Sequence, residues 1–526
     1  MQKTSFHRGE TQWFSDQHLR LVYDQKSFDS FLTEPFSKEA ILKQIDRKAA
    51  QFGTEARTTM ANALMNQYKN TPISKETQTN IESIKETNTF TITTGHQLSL
   101  YTGPLYFVIK ILHVIKMCEE LKATYSDYNF VPVYWMASED HDFEEIQSLH
   151  IFNKKITWEK EAEGPVGLMD TEGLEAIREE MHELFKNHPE SEIQEVLDTL
   201  QGQNYTQAAR NLVNRMFGDR GLVILDGDDC DLKKSFAPLF EKELTEQFSF
   251  SQVESTTKRV VEAGGKDQVM PREINLFYCE KGIRSRIEKK GDRFTAEGAG
   301  EFTLDDLMAA PEKISPNVIL RPLYQEFILP NLTYVGGGGE ISYWLQLKTV
   351  FEAAGVVYPL IQVRNSVVWM DRSTVSKLEK IEGSIADLFK DEDAWKKEFV
   401  LESDEDELDM TAVDISFQGL SEELKGLILG IDASKSTFIE AELARMEKQL
   451  ESIKAKAVKF SKSNHDQAMK AIEFIKSRIN PSGGLQERSV NFFQFCNEGH
   501  VSARISELYE GLEPFNGDLI VLMETT

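Results

Sequence analysis

Ionisable side chains follow directly on the most strand-like apolar run of this sequence. The stretch PVYWMASEDHDFEEI, residues 132–146, leads from apolar and aromatic residues into Glu139, Asp140, His141 and Asp142. Carboxylates can hold an amino group or sugar hydroxyls, and an imidazole can bond a phosphate or a carboxylate. We therefore interpret the four residues as a ligand-binding group, in which Asp140 and His141 are also candidates for catalysis.

A metal site is one alternative for the same residues. Consecutive residues at a strand end point in different directions, so the four side chains cannot all ligate one ion. Asp140 and Asp142 could hold Mg²⁺ through water beside a phosphate. Zinc is not predicted, because no second His or Cys lies at ligand spacing. A helix that begins at Ser138, with acidic residues in its first turn, would also explain the pattern.

Two further segments place polar residues after apolar runs. TTGHQLSLYTGPLY, residues 93–106, precedes a predicted helix, whose free N–H groups favour phosphate. YVGGGGEISYW, residues 334–344, has four consecutive glycines, which let the backbone approach a ligand closely. A structural histidine and a flexible glycine loop are the simpler alternatives. The candidate catalytic residues here are His96 and Gln97, and the candidate binding residues are Thr94, Gly95, Gly103, Gly336, Gly337, Gly338, Gly339, Glu340, Tyr343 and Trp344.

A parallel sheet is predicted to position these segments. Residues 88–94 and 131–137 read as strands, and the helical pattern of residues 104–122 lies between them, which is typical of a βαβ unit. Further strands are predicted at residues 221–226, 331–335 and 356–363. Ligands bind at the carboxyl ends of parallel strands, so we expect the three segments to meet at one edge. No G-x-G-x-x-G and no GxxxxGK[ST] motif occurs, which disfavours dinucleotide and P-loop sites.

Composition limits the partners. The 526 residues include 59 Lys and Arg against 86 Asp and Glu, which gives a formal net charge of −27. Such a surface repels nucleic acid and anionic lipid, so we expect a small-molecule partner, no nucleic acid and no membrane. The four cysteines form no CxxC motif, which is typical of reduced thiols. With no apolar leader and no run of about 18 apolar residues, we expect a cytoplasmic protein.

The chain is too long for one compact core, and its pattern predicts a split α/β core with added segments. We expect an N-terminal helical segment (1–85), core parts at 86–150, 221–227 and 317–372, insertions at 151–220 and 228–316, a helical coiled-coil domain (373–480) and a C-terminal segment returning to the core (481–526). A hairpin is predicted near residues 290–292, within the second insertion.

Apolar residues from Ile439 to Phe460 alternate spacings of four and three, which is typical of a coiled-coil seam. A second apolar series runs from Ala468 to Ile479 beyond a predicted turn at Ser463–Asn464. We interpret the two as an antiparallel hairpin, with a long parallel zipper as the alternative. Its apolar edges predict a homodimer. The acidic tract at residues 401–409 is interpreted as a solvated loop.

Long stretches of the sequence resemble one enzyme family. TGHQLSLYTGPLY, VPVYWMASEDHDFEEI, SPNVILRPLYQEFILPNLTYVGGGGEISYW and GGLQERSVNFF together resemble BshC, the cysteine-adding enzymes of bacillithiol biosynthesis. The resemblance covers nearly the whole chain and is loose only in the two insertions. It implies a Rossmann-like core akin to class I ligases, two insertions and a coiled coil that pairs subunits. It also implies a ligase that joins the carboxyl group of cysteine to the amine of glucosaminyl-malate.

The resemblance also implies roles for single residues. His96 stands where class I ligases have a phosphate-binding HIGH motif, although the sequence here is GHQ. After the fifth strand the chain reads VRNSV rather than a lysine-rich KMSKS loop, which places Arg364, Asn365 and Ser366 among the binding candidates. Arg321 or Arg364 would bind the malate carboxylates.

The activating chemistry stays open at this level. ATP with Mg²⁺ is an expected cosubstrate, and adenylation, a phosphorylated carboxylate or an already activated cysteine donor are all compatible with the sequence. A ligase with another amine acceptor and a nucleotide-binding scaffold with a degenerate ligase core are the competing functions.

Overall fold

The computed structural model describes residues 1–188, 191–403 and 410–525, which fall into two compact units. The first unit comprises Met1–Trp369 and Gly484–Leu522, and the second comprises Met370–Gly483 and Met523–Thr526. Most of the acidic tract predicted as a loop at residues 401–409 lies outside the described residues. Within the described ranges, no helix combines the length and apolar character that a bilayer crossing requires.

A five-stranded parallel sheet forms the centre of the first unit. Its strands in chain order are β1 (Thr89–His96), β2 (Asn129–Met136), β3 (Val223–Asp226), β4 (Asn331–Gly336) and β5 (Leu360–Val363). They lie side by side in the order β5-β4-β1-β2-β3. The predicted Rossmann-like parallel sheet is confirmed, although β1 extends to His96 and β5 begins four residues later than expected.

Alternation along β1 fixes its place between its neighbours. Phe90 and Ile92 face one apolar cluster, whereas Thr91 and Thr93 face the other side of the sheet. Both threonine hydroxyls donate to Oδ1 of Asn331 at the start of β4, at 3.2 and 2.8 Å. These buried hydrogen bonds hold β1 and β4 in one register. Because the chain leaves β1 toward β2 and later returns on its other side as β4, a crevice is expected at the carboxyl ends of β1 and β4.

Helices surround this sheet. The helix between β1 and β2, Tyr106–Thr124, is buried along most of its length. In the N-terminal segment the structure has a strand Gln2–Phe6, helices Asp16–Tyr23, Lys38–Gln51, Thr54–Gln67 and Lys75–Ser83, and 3₁₀ turns Arg8–Thr11 and Gln25–Phe31. Helix Leu320–Ile328 precedes β4, and helices Gly338–Trp344 and Lys348–Ala354 lie between β4 and β5. The strand Ser366–Met370 follows β5. A 3₁₀ turn, Leu100–Thr102, precedes the first of the core helices.

The segment between β2 and β3, which includes the first predicted insertion (151–220), is mainly helical. It has helices Phe143–Ile146, Leu174–Leu184, Glu192–Leu197 and Tyr205–Phe217, a strand pair Ser148–Ile151 and Lys154–Thr157, and 3₁₀ turns Val166–Leu168 and Gly218–Arg220. The C-terminal segment has helices Gln486–Ser489 and Val501–Gly511, the 3₁₀ turn Phe492–Phe495 and the strand Leu519–Met523. That last strand pairs between Gln2–Phe6 and Ser366–Met370, so both chain ends enter one small sheet.

The second insertion mixes helices with two small sheets. Its helices are Cys230–Glu246, Phe248–Glu262 and Leu304–Ala309, with a 3₁₀ turn Pro311–Lys313. Its strands are Leu276–Glu280, Ile283–Arg286, Glu288–Lys290, Arg293–Ala296, Gly300–Phe302 and Ile314–Pro316. The hairpin predicted near residues 290–292 is confirmed, because Arg293 pairs with Lys290 in antiparallel register.

The second unit is helical. Its helices are Arg372–Lys380, Glu392–Ser403, Thr411–Ile431, Ser436–Asn464 and Asp466–Ile479, with 3₁₀ turns Ile385–Phe389, Ala433–Lys435 and Pro481–Gly483. Ion pairs join Lys425 to Glu440 and Asp414 to Lys454, so Thr411–Ile431 runs antiparallel to Ser436–Asn464. The predicted break is confirmed to within one residue, since the long helix ends at Asn464 and the next begins at Asp466. The predicted hairpin partner was wrong, because Thr411–Ile431 and not Asp466–Ile479 forms the hairpin with the long helix. A heptad pattern indicates that another helix packs against the apolar face, but it does not identify which helix does so.

A buried ion pair joins the N-terminal segment to the core. The side chains of Lys48 and Glu326 are both fully enclosed, and Lys48 Nζ lies 3.7 Å from Glu326 Oε2. Glu326 Oε1 also accepts hydrogen bonds from Gln325 at 2.8 Å and Asn331 at 2.6 Å. Burial raises the pKa of Glu326 and lowers that of Lys48, and the attraction between the two charges opposes both shifts. The pair therefore depends on both partners.

Lys48→Met should lower the free energy of unfolding by about 3–5 kcal/mol at pH 8, because it leaves the Glu326 carboxylate buried without its cation. The loss should be smaller at pH 6. At pH 6 the raised pKa keeps the Glu326 carboxyl group protonated in the folded protein, so the variant buries less unpaired charge. The contribution of such a group to stability is lost as the pH rises through its pKa in the folded state. Urea unfolding at the two pH values measures both effects.

Lys43→Met is the matched control. Lys43 lies on the same helix, pairs with Glu34 and has a side chain that is 61% exposed. A surface pair of this kind contributes at most about 1 kcal/mol. Similar losses in the two variants, or a Lys48→Met loss that does not change with pH, would contradict this account.

Candidate active site

A cleft with a volume of about 710 Å³ opens at the carboxyl edge of the sheet, where β1, β2 and β4 end. The apolar residues that lead into it, Tyr134, Trp135 and Met136, are 1–2% exposed, as predicted. Sequence-predicted residues from all three segments line the cleft together: Gly95, His96, Gln97, Glu139, Asp140, Arg321, Gly339, Glu340 and Tyr343. The expectation that the three segments meet at one edge is confirmed.

Asp140 lies at the centre of a hydrogen-bond group on the cleft floor. Gln97 Nε2 donates to Asp140 Oδ2 and to Glu145 Oε2, both at 2.8 Å. The backbone N–H of His141 donates to Asp140 Oδ1 at 2.8 Å. Although burial alone would raise the pKa of Asp140, the hydrogen bonds from His141 and Gln97 and the nearby Arg284 charge hold it well below its ordinary value. The floor therefore carries a fixed carboxylate.

His96 ends β1 and packs against the first turn of helix Tyr106–Thr124, as predicted. Its ring centroid lies 5.2 Å from that of Tyr106 and 5.0 Å from that of Phe107. Nδ1 lies 2.8 Å from the carbonyl oxygen of Gln97. Because a carbonyl only accepts, this bond assigns the hydrogen to Nδ1 and leaves Nε2 as an acceptor.

The electrostatic surroundings keep His96 neutral. Burial, together with the charge of Lys110, lowers the pKa of His96 to about 3. Nε2 is enclosed and has no hydrogen-bond partner among the residues that the structure describes. A buried acceptor without a partner is costly unless a ligand satisfies it.

Glu340 is held by a lysine that the sequence analysis missed. Lys110 Nζ lies 2.6 Å from Glu340 Oε2 and donates to the carbonyl oxygen of Gly95 at 2.8 Å. The Tyr334 hydroxyl donates to the other carboxylate oxygen. Burial would raise the pKa of Glu340, yet Lys110 brings it below its ordinary value. A lysine within the apolar run YFVIKILHVIK was the available signal for this pair.

Glu139 has its own buried cation. Lys233 Nζ, which is fully enclosed, lies 2.8 Å from Glu139 Oε1 and 2.6 Å from Asp228 Oδ1. Lys233 belongs to helix Cys230–Glu246, which follows β3. Glu139 therefore shares one buried lysine with Asp228 in an internal ion-pair group at the cleft wall.

The second insertion contributes cleft residues that sequence reasoning did not assign. Arg272, Arg284 and Arg286 line the cleft together with apolar neighbours such as Phe277. Arg284 Nη1 donates to His141 Nδ1 at 2.8 Å, and its guanidinium carbon lies 4.1 Å from the centroid of the Phe277 ring. Alternate residues of one strand point to one face, so the R-S-R spacing at 284–286 was the available signal.

Among the described residues, no group of three or more His, Cys, Asp and Glu side chains could hold a metal ion. Asp142, one of the two aspartates considered for Mg²⁺, does not line the cleft and instead precedes the short helix Phe143–Ile146. Asp140 lines the cleft and Asp142 does not, so the structure does not bring the two carboxylates together there.

Two family models match the chain over nearly its whole length. The N-terminal Rossmann-like domain of bacillithiol biosynthesis BshC matches residues 3–365. The C-terminal coiled-coil domain of bacillithiol biosynthesis BshC matches residues 367–524. The chain belongs to the BshC family. The predicted family is thus confirmed.

Curated relatives of the BshC family extend over the same length. A protein of Flavobacterium johnsoniae named "Putative cysteine ligase BshC" is 39% identical over 498 residues, which cover 93% of this chain and 94% of the relative. Proteins of the same name from Christiangramia forsetii and Bacillus anthracis are 36% and 25% identical. Their alignments cover 98% and 90% of this chain and 97% and 91% of the relatives.

Several predicted binding residues of this BshC-family chain do not line the cleft. Arg364 is buried and pairs with Glu487 at 2.8 Å, and Ser366 donates to the same carboxylate at 2.9 Å. Asn365 is also buried and donates to backbone carbonyls of Glu513 and Asn516. These three residues bind the C-terminal segment to the core. Their assignment to the ligand was wrong, because that segment returns and covers them.

Other candidates also have structural roles. Thr94 donates to the carbonyl oxygen of Val335, and Trp344 is fully buried against Tyr334. Gly103 has a φ of +60°, and a side chain there would overlap Ser99, so it is required for the turn before the helix. His141 does not line the cleft itself and instead contacts the cleft residues Asp140, Phe277 and Arg284. These assignments rested on sequence proximity to the motifs, which does not decide the direction of a side chain.

The glycine run of the BshC-family motif has two kinds of position. At Gly336 an added methyl group would lie 2.9 Å from Glu340 Oε2, and at Gly338 it would overlap the His18 ring. At Gly337 and Gly339 nothing lies within 4 Å. The His18 ring cannot easily move, because buried Arg8 binds its Nε2 at 2.7 Å. Close approach, and not flexibility, therefore explains Gly336 and Gly338.

Gly338→Ala should lower the free energy of unfolding by about 1–3 kcal/mol, because overpacking against His18 displaces the loop. Gly339→Ala is the matched control in the same helix and should leave stability unchanged or raise it by at most about 1 kcal/mol. Urea unfolding of both variants measures the difference. Equal stability of the two variants would contradict the assignment.

Proposed function

We propose that this chain is the ligase that joins L-cysteine to glucosaminyl-malate in the last step of bacillithiol biosynthesis. The observation that carries the proposal is family membership over residues 3–365 and 367–524, which includes the cleft and the whole helical unit. The new amide bond joins the cysteine carboxyl carbon to the amine nitrogen of the sugar. The amine binds as an ammonium ion and loses two protons in all, one before it attacks and one as the amide forms, and the activated carboxyl group loses its leaving group.

Two groups of the cleft suit the amine. Asp140 is a fixed carboxylate that can bind the ammonium form, and Gln97 and the backbone of His141 hold it in place. Nε2 of His96 is an acceptor that can take a hydrogen bond from the attacking amine and orient its lone pair, while its lowered pKa keeps the ring neutral. This tautomer suits an N–H donor better than the anionic ligand group that the HIGH comparison implied. We assign His96 and Asp140 as catalytic residues, and Gln97 and His141 as residues that position Asp140.

ATP with Mg²⁺ is proposed as the cosubstrate that activates the cysteine carboxyl group. Arg321 offers a cation to phosphate oxygens, and its guanidinium lies between the Trp135 and Tyr334 rings at 5.8 and 5.6 Å. Gln325 accepts from Arg321 Nη1 at 3.0 Å and keeps it in the cleft. Asp140 and Glu145 offer carboxylate oxygens, and Mg²⁺ usually binds one or two of these together with water.

Metabolite analysis of a deletion strain tests the function. Loss of bacillithiol with accumulation of glucosaminyl-malate, reversed by the intact gene, is the expected result. Unchanged bacillithiol would reject the proposal. Accumulation of a different amine would identify a ligase with another acceptor, and no accumulation of any precursor would favour a scaffold.

Asp140→Asn should weaken binding of the amino sugar more than binding of cysteine, because it removes the charge that faces the ammonium group. The loss of one ionic hydrogen bond amounts to about 1.5–3 kcal/mol, or roughly ten- to a hundred-fold in affinity. Calorimetric titration with each substrate measures it. Asp142→Asn is the matched control, since this exposed neighbour does not line the cleft. Equal weakening for both substrates would reject the assignment.

We also propose a homodimer formed through the coiled-coil unit. Both helices of the hairpin expose large apolar side chains, which water disfavours and a second copy would cover. The most exposed are Ile415, Leu427, Ile431, Ile453 and Phe460, at 61–77%. The four cysteines are free thiols, which supports a location in the cytoplasm.

Ile415→Glu/Ile453→Glu should convert the dimer to a monomer, because burial of each isoleucine contributes about 1.5–3 kcal/mol and the charges would face each other across the interface. Sedimentation velocity measures the change. Gln418→Glu/Ser452→Glu adds the same charge at exposed polar positions of the same helices and should leave the dimer intact. A parent chain that sediments as a monomer, or a dimer that survives the isoleucine changes, would reject the proposal.

A further inference from the structure

The charge of the cleft is opposite to that of the chain. The sequence carries 86 acidic against 59 basic side chains, yet the cleft is lined by Lys110 and four arginines against four carboxylates. Two of those carboxylates, Glu139 and Glu340, already pair with Lys233 and Lys110. Of the arginines, Arg284 acts on Asp140 through its charge, whereas Arg272 and Arg286 form no ion pair with a carboxylate in the described part of the chain.

None of the four arginines forms an ion pair within the described ranges. For Arg272 and Arg286 the side chains also have no hydrogen bond there. Arg284 donates from Nη1 to His141, but its Nε is enclosed and has no partner among the described residues. A buried guanidinium donor without an acceptor is costly, so an acceptor from a ligand is the physical expectation.

The backbone fixes where these arginines lie. Arg284 and Arg286 are alternate residues of the strand Ile283–Arg286, so they project from the same face. That strand pairs with Leu276–Glu280, in which Phe277 lies opposite Arg286. Arg272 is tied to the same hairpin because its N–H donates to Oδ1 of Asn275 at 3.0 Å. The three cations thus belong to one preformed element.

Apolar surface surrounds the same element. Ile274 and Leu276 are buried beside the arginines, and Pro316 from the adjacent strand lines the cleft with them. Arg272 and Arg286 are exposed and Arg284 is half-buried, so the low-polarity surroundings strengthen the attraction to an oxyanion mainly at Arg284. Arginine also binds carboxylate and phosphate oxygens in pairs, which favours a ligand with several such oxygens.

We propose that Arg272, Arg284 and Arg286 form an oxyanion subsite for a ligand that carries two or more adjacent carboxylates or phosphates. The identity of the natural ligand rests on the proposed function. Under that function, the malate dicarboxylate of the acceptor and the triphosphate of ATP share this chemistry. The subsite lies on the second insertion and adjoins the Asp140 floor through the contact between Arg284 and His141.

Calorimetric titration of the full chain at low ionic strength tests the subsite. The probes are glucosaminyl-malate, malate alone and inorganic triphosphate without a metal. Arg272→Gln/Arg286→Gln removes two cations that have no partner in the described part of the chain, so the fold should be retained. We expect at least one probe to bind the parent chain and to bind this variant about a hundred-fold less tightly, at roughly tenfold for each arginine.

Arg293→Gln is the matched control, because Arg293 is an exposed arginine of the same insertion that does not line the cleft. Loss of malate and acceptor binding in the double variant assigns the subsite to the dicarboxylate, and loss of triphosphate binding assigns it to the nucleotide. The proposal is overturned if no probe binds the parent chain, if the double variant binds every probe as tightly as the parent, or if Arg293→Gln is equally weakened.

The two proposals can fail separately. A parent chain that binds a probe through these arginines but forms no bacillithiol from cysteine, glucosaminyl-malate and ATP would keep the subsite and reject the proposed function. A double variant that forms bacillithiol with unchanged KM for both the acceptor and ATP would keep the function and reject the subsite.

Discussion

The parallel register of β1 between β2 and β4 is the constraint on which the cleft depends. Thr91 and Thr93 bind Asn331 across the sheet, and this buried contact sets how far β4 extends beside β1. Strands that run parallel in one register must end at one edge. His96 and the glycine run therefore face each other, although about 240 residues separate them in the chain.

Charge balance explains why this edge can be partly buried. Glu340 forms an ion pair with Lys110, and Glu139 forms one with Lys233. Each of these lysines belongs to a helix that follows a core strand. An unpaired buried charge would be strongly destabilising. Asp140 differs, because hydrogen bonds from Gln97 and His141 stabilise it without a direct lysine partner. It is the carboxylate best suited to accept a cationic group from a ligand.

The second insertion completes the cleft. Its paired strands Leu276–Glu280 and Ile283–Arg286 bring arginines into the cleft beside the acidic floor, so one site offers cations for anions and a carboxylate for an amine. An acceptor that carries both an amine and carboxylates matches this division. The segment that resembled the family most loosely thus supplies much of the positive charge of the site.

Local sequence determined the sheet, the family and most of the cleft floor. Apolar strands that end in polar motifs predicted where His96, Asp140 and Glu340 would meet, because strand polarity and sheet geometry are short-range properties. Heptad spacing likewise predicted helices in the second unit, but not that Thr411–Ile431 would be the partner of Ser436–Asn464.

Only the tertiary structure decided which side chains turn away from the cleft. Arg364, Asn365 and Ser366 follow a core strand as His96 does, yet the returning C-terminal segment covers them, and contacts between segments so distant in the chain leave no local pattern. The lysine within the apolar run at Lys110 and the spacing of Arg284 and Arg286 marked these residues as unusual, but their roles depend on partners that only folding brings together.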